Sequence, residues 1–172
     1  METVILHACI DRRFIFRHTA WEVIEPVSWL AAMTDGPAEF ERVLSELSPD
    51  QRRLLALTWY RPKVESGGHA RYYASTAGRL WREALEGFRC IGLDQLSELV
   101  EESSQLMGGE PSKSRSARVA YLDALEPDFT DLDERFKALI DTVDFDEAMT
   151  SYTRENPEAF LFEGLIEKPD PG

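Results

Sequence analysis

The sequence predicts an all-α protein: one compact bundle of roughly six to eight helices, with room for a minor short strand pair near the N-terminus. Three observations predict it. Apolar residues recur at helical spacing along most of the chain, capping signatures punctuate these runs, and strand-like stretches are few, chiefly Val4–Leu6 and Arg13–Phe16.

Residues 19–31 carry Trp21, Ile24, Val27 and Trp29 at near-helical spacing, with Pro26 beginning or kinking a segment. After the Asp35-Gly36-Pro37 turn, Phe40, Val43, Leu44 and Leu47 fall at i, i+3, i+4 and i+7 of an amphipathic helix over 38–47. Ser48-Pro49-Asp50-Gln51 is a capping box with proline at the first helical position. The helix it opens is expected to stop near Pro62, and Gly67-Gly68 breaks the chain before an aromatic-rich run, His69 to Phe88, recapped at Ser75-Thr76. Gly92 reads as a helix stop and Asp94 as the next cap. Residues 107–118 read as a polar, basic loop. Helices are predicted over 131–143 and 145–156, and residues 165–172 as a frayed tail. Neither flank of the loop could form a core alone, so residues 1–172 are read as one domain.

The chain has 172 residues, 43% of them apolar and 10% aromatic, which excludes disorder. No apolar run is long enough to span a membrane, and Val4–Leu6 is too short for a secretory core. Cys9 and Cys90 suggest no disulfide framework, so the cytoplasm is the expected location. The net charge is −13. That balance argues against direct binding to nucleic acid or to an anionic membrane. Residues 1–89 hold twelve acids and twelve bases, whereas residues 90–172 hold twenty acids and seven bases. The excess therefore belongs to one half of the chain. It is compatible with a solubility device and with a surface that attracts a basic partner.

At about 100° per residue, Leu96, Leu99, Val100, Leu106 and Met107 share one side of a helix, and Asp94, Glu98, Glu101 and Glu102 the other. On the 131–143 helix, Asp133, Glu134, Asp141 and Asp144 lie opposite Leu132, Phe136, Leu139, Ile140 and Val143, interrupted only by Lys137. Asp146 and Glu147 extend that run. Like charges at helical spacing cost a few tenths of a kcal/mol per pair, so the stripes do not help their own helices. Duplex DNA carries about one charge per 1.7 Å of axis, a density that two or three such helices side by side approach. Solvated faces are the plain alternative.

Catalysis has little support. His7, His18 and His69 are scattered, no zinc-ligand spacing exists, and neither a nucleophile elbow nor a phosphate-binding glycine loop is present. Residues 123–134 lack the central glycine of a calcium loop. No cofactor or metal is expected, and the protein is read as a non-enzyme.

The run from Leu47 to Gly92 resembles the DNA-mimic protein family, whose shared domain is widespread in bacteria. The matching marks are the capped helix before Gly67-Gly68-His69, the Tyr72-Tyr73 pair, the Ser75-Thr76-x-Gly78 turn and the Ala84-Leu85-x-Gly87…Ile91-Gly92 helix end. A looser match continues through Asn156-Pro157 and Phe160, covering about residues 21–164. The family usually has amides where this chain has Ser66, Arg71 and Ala74. Gly67, Gly68, His69 and Gly78 are read as structural. The resemblance implies an all-helical fold and an acidic protein that occupies the DNA-binding surface of a transcription regulator.

On this reading the ten acids from Asp94 to Glu147 named above face a basic DNA-binding protein, and a homodimer is also compatible. Two alternatives stand beside it. One is an immunity or adaptor protein that binds a specific partner without mimicry. The other is a small-molecule site around Gly67-Gly68-His69 with Tyr72, Tyr73 and Trp81.

Overall fold

Capping decides where several elements begin. The structure, a computed structural model, describes residues 4–169. Nine α-helices and one pair of strands are present among them: β1 (Val4–Ile10), α1 (Arg12–Arg17), α2 (Ala20–Ala32), α3 (Pro37–Glu46), α4 (Pro49–Ala74), α5 (Trp81–Cys90), α6 (Asp94–Leu106), α7 (Arg115–Leu125), α8 (Thr130–Ile140), α9 (Phe145–Glu155) and β2 (Phe162–Lys168). Short 3-10 turns occupy Thr76–Leu80 and Pro157–Phe160. The chain divides into two compact units, residues 4–55 with 146–169, and residues 56–145.

In the first unit, Ser48 and Gln51 form the expected reciprocal box. The Gln51 N–H donates to Ser48 Oγ at 3.0 Å and the Ser48 N–H to Gln51 Oε1 at 2.9 Å. Thr19 and Glu22 form a second box, opening α2. Ile15, Val23, Val27, Phe40, Val43, Phe160 and Ile166 are buried.

Two sequence expectations fail in this unit. Arg13–Phe16 is not a strand but most of α1, because the Asp11 carboxylate accepts the Phe14 N–H at 2.7 Å and caps a helical turn. The strand partner of β1 comes instead from the other end of the chain. β1 and β2 pair antiparallel, with Leu6 opposite Ile166 and Ile10 opposite Phe162. Residues 165–168 of the expected frayed tail therefore lie in a strand; residues 170–172 lie outside the described residues.

In the second unit, the helix does not stop at Pro62; α4 runs on to Gly67-Gly68, breaks there and resumes at His69. The Tyr60 ring meets the rings of Tyr72, Phe88 and Phe136 edge-on, at centroid distances of 4.9, 5.3 and 5.9 Å. Gly92, at φ 77°, ends the α5 segment and lets α6 fold back against α5. α8 packs beside α6. Residues 115–118 of the expected loop are the first turn of α7, opened by Ser114, whose hydroxyl accepts the Ala117 N–H.

Candidate functional site

α6 presents the stripe its sequence encodes. Leu96, Leu99 and Val100 are buried, and Asp94, Glu98, Glu101 and Glu102 are exposed. On α8 and just beyond it, Glu134, Asp141 and Asp144 are exposed as well. Because α6 and α8 pack together, these acids share one unit of the structure. Asp146 and Glu147 belong to the other unit. There Asp146 accepts the Trp21 indole N–H at 2.7 Å, and Glu147 accepts the Ser151 hydroxyl at 3.1 Å.

The acidic surface on α6 and α8 is not uninterrupted. Arg135 donates to both Glu102 oxygens, at 2.7 and 2.8 Å, and to Asp131 at 3.3 Å. These hydrogen bonds hold the Glu102 carboxyl below the usual range and the Arg135 guanidinium above it. Arg89 pairs with Glu101 at 3.1 Å. Lys137 is thus not the only base near these stripes.

Asp133 differs from its neighbours. It is half-buried and turned toward α4, where Oδ1 accepts the His69 backbone N–H at 2.9 Å and lies 2.6 Å from His69 Nδ1. An ionised carboxylate only accepts, so Nδ1 carries the ring proton and Nε2 is the acceptor. Tyr60 Oη lies 2.8 Å from Nε2 and donates to it. Burial holds the imidazole pKa down against the pull of Asp133, and pushes the Tyr60 hydroxyl well up. Asp133 is therefore tied into the interior, unlike the acids around it.

Gly68 makes that contact possible. Its backbone, at φ 71° and ψ −173°, is a conformation that essentially only glycine adopts, and a Cβ there would collide with the Asp133 carboxylate. His69 itself is 0% exposed, walled in by Tyr60 and Phe129. That enclosure removes the support for a small-molecule site converging on its ring. Ser66 Oγ donates to the Lys63 carbonyl at 3.2 Å, and the Ala74 carbonyl accepts from Arg115 at 2.7 Å. Arg71 is exposed.

A family model described as DMP19-like protein matches residues 45–156. The chain belongs to the DMP19-like protein family. No curated protein and no solved structure matches it. The matched segment of this DMP19-like protein contains the Tyr60–His69–Asp133 chain and the acids of α6 and α8, while β1, α1, α2 and β2 lie outside it.

Two features of the DMP19-like segment escaped the sequence reading wholly or in part. Arg118, placed in a basic loop by its sequence, is 1% exposed. It donates to four backbone carbonyls: Tyr73 at 2.8 Å, Ser75 at 2.7 Å, Ser112 at 2.6 Å and Lys113 at 3.1 Å. Gly78 sits against the same group, since a Cβ there would lie 2.8 Å from Tyr73 Cα and 3.0 Å from Arg118 Nε. The second enters that reading only as a rejected calcium loop and is left out of the partner face: Asp123, Glu126 and Asp128 are exposed acids at the end of α7 and just past it. Its signal was available: residues 119–134 hold six acids and no Lys or Arg.

Proposed function

We propose that this DMP19-like protein is a non-enzymatic, acidic interaction protein that stands in for duplex DNA on the basic surface of a DNA-binding protein, a transcription regulator among them, in the cytoplasm. The observation that carries this reading is the exposed acidic surface on the paired helices α6 and α8, with Asp94, Glu98, Glu134 and Asp141 outside any ion pair among the described residues. A regulator that grips phosphates through lysines and arginines meets carboxylates here in place of phosphates. The enclosed His69 ring supports a non-enzymatic role, since no reactant reaches it.

The test is capture from the native cell at low salt on immobilised protein, followed by elution with rising salt or with duplex DNA. Exposed charges are screened beyond a Debye length of about 8 Å at physiological ionic strength, so the partner should elute steeply with salt. It should also be displaced by DNA. A captured partner that is indifferent to DNA would select the adaptor reading, and affinity that stays flat across salt would remove the mimicry reading.

A further inference from the structure

The strand pair leaves the outer edge of β1 open. β1 and β2 are the whole of their sheet among the described residues, and α2 packs against β2. Every second residue of β1 therefore turns its N–H and C=O away from β2, with no further strand to meet them. Two-stranded ribbons are marginal in water, and edge strands are ordinarily guarded by a lysine, a proline or a bulge. β1 has none of these. Val-Ile-Leu-His-Ala-Cys-Ile contains no Lys, Arg, Asp, Glu or Pro, and its register with β2 runs from Val4 to Ile10 without a bulge.

Apolar surface gathers at the same place. Of the nine large apolar side chains exposed among the described residues, six lie on β1, α1, β2 or the turn into β2: Val4, Ile5, Leu6, Phe16, Leu161 and Leu165. Ile5 and Leu165 are diagonal neighbours on the face opposite the buried Ile10 and Ile166. At 63% and 70% exposed, neither is covered within its own chain.

Charge and symmetry identify the occupant of the edge. Residues 4–18 hold three arginines and one acid, so two copies of this chain, each of net charge −13, meet there without setting acid against acid. The acids of β2, Glu163 and Glu167, stand one strand back, and Glu163 lies 3.6 Å from His7 Nε2. β1 is also complementary to itself. Laid antiparallel about a two-fold axis at His7, all seven of its residues pair. Val4 then faces Ile10 of the second copy, Ile5 faces Cys9 and Leu6 faces Ala8, each an apolar pair.

We propose that β1 is a dimerisation strand: two copies join edge to edge through β1, antiparallel, into a sheet of order β2-β1-β1-β2. This pairing does not rest on the acidic surface of α6 and α8, which belongs to the other unit. It is carried by strands outside the segment that matches the family.

Sedimentation equilibrium of the full chain from about 1 to about 200 μM should show monomer and dimer in exchange, with a dissociation constant on the order of 10 μM for so short an interface. Amide hydrogen exchange should show alternate residues of 4–10 protected at high concentration and not at low. Ile5→Lys with His7→Lys places like charges around the two-fold axis, at side chains exposed in the monomer. The dimer should weaken by about tenfold or more, with the unfolding midpoint of the monomer nearly unchanged. A chain that stays monomeric to about 200 μM would overturn the proposal. So would a dimer whose β1 amides exchange as in the monomer, or a folded double variant that dimerises as well as the unmodified chain. The exchange measurement uses the unmodified chain, so it decides the question even where the double substitution disturbs the ribbon.

Discussion

His69 Nδ1 lies 2.6 Å from Asp133 Oδ1, and the same oxygen accepts the His69 backbone N–H at 2.9 Å. One carboxylate on α8 therefore fixes both the ring and the first amide after the break in α4. It does so because Gly68 has no side chain to keep it out.

Gly68→Ala should be strongly destabilising. The backbone at φ 71° costs a non-glycine residue roughly 1–3 kcal/mol, and the added Cβ would also push Asp133 off His69. A loss of about 3 kcal/mol or more in urea unfolding is expected. Gly67→Ala is the control. Gly67 carries no left-handed strain at φ −169°, but its Cβ would meet Arg71 Cβ at 2.9 Å as well as the movable Cδ at 2.5 Å, so a smaller loss than for Gly68→Ala is expected, roughly 1–2 kcal/mol.

Two buried tyrosines should respond in opposite directions. Tyr60→Phe deletes the donor to His69 Nε2 and leaves a buried acceptor unpaired, at about 1–3 kcal/mol. The Tyr72 hydroxyl is buried with no hydrogen-bond partner among the described residues. Tyr72→Phe should therefore be neutral or stabilise by up to about 1 kcal/mol. Thermal and urea unfolding of the two variants checks both signs. A destabilised Tyr72→Phe would mean that the hydroxyl has an acceptor.

Stability should fall as the pH drops below 6.5. Burial lowers the His69 pKa from its ordinary 6.5, so below that value the unfolded chain binds a proton that the folded chain refuses. The stabilisation is fully present above 6.5 and is lost as pH falls toward the lowered value, at up to about 1.4 kcal/mol per pH unit. Urea midpoints against pH measure the slope, and His69→Gln should flatten it. Ring nitrogen shifts in the unmodified protein provide a second readout, with His69 staying neutral at pH values where free imidazole is largely protonated.

How much could be read in advance depended on the range of the forces involved. The Ser48–Gln51 box, the Gly92 stop and the acids opposite Leu96, Leu99 and Val100 are settled within one or two helical turns, and they were legible. The pairing of β1 with β2 joins the two ends of the described chain with no turn between them, so nothing local announced it. α1 was misread because Arg-Arg-Phe-Ile-Phe-Arg has no helical periodicity, and its helix is set by the Asp11 cap. α7 was missed because its one fully buried residue among those described is a charged one, Arg118, set at the end of a serine-rich stretch that reads as loop. Asp133 has the sequence context of a surface acid. Only the space left by Gly68, far away in the chain, turns it inward.

Arg135 supplies a test of the acidic surface itself. It sits between the α6 and α8 stripes, engaging both oxygens of Glu102 and reaching Asp131. An exposed pair of this kind contributes roughly 1 kcal/mol or less, so Arg135→Gln should leave the unfolding midpoint nearly unchanged. It would also remove the cation that bridges the two helices and leave Glu102 and Asp131 to a partner. Affinity for a polylysine-type peptide should then rise by roughly two- to fivefold, with a steeper loss on adding salt. Glu102→Gln should act the opposite way, leaving Arg135 exposed as a repulsive charge. Affinities that do not order as Arg135→Gln above the unmodified protein, and the unmodified protein above Glu102→Gln, would place the partner's contact away from the α6–α8 surface.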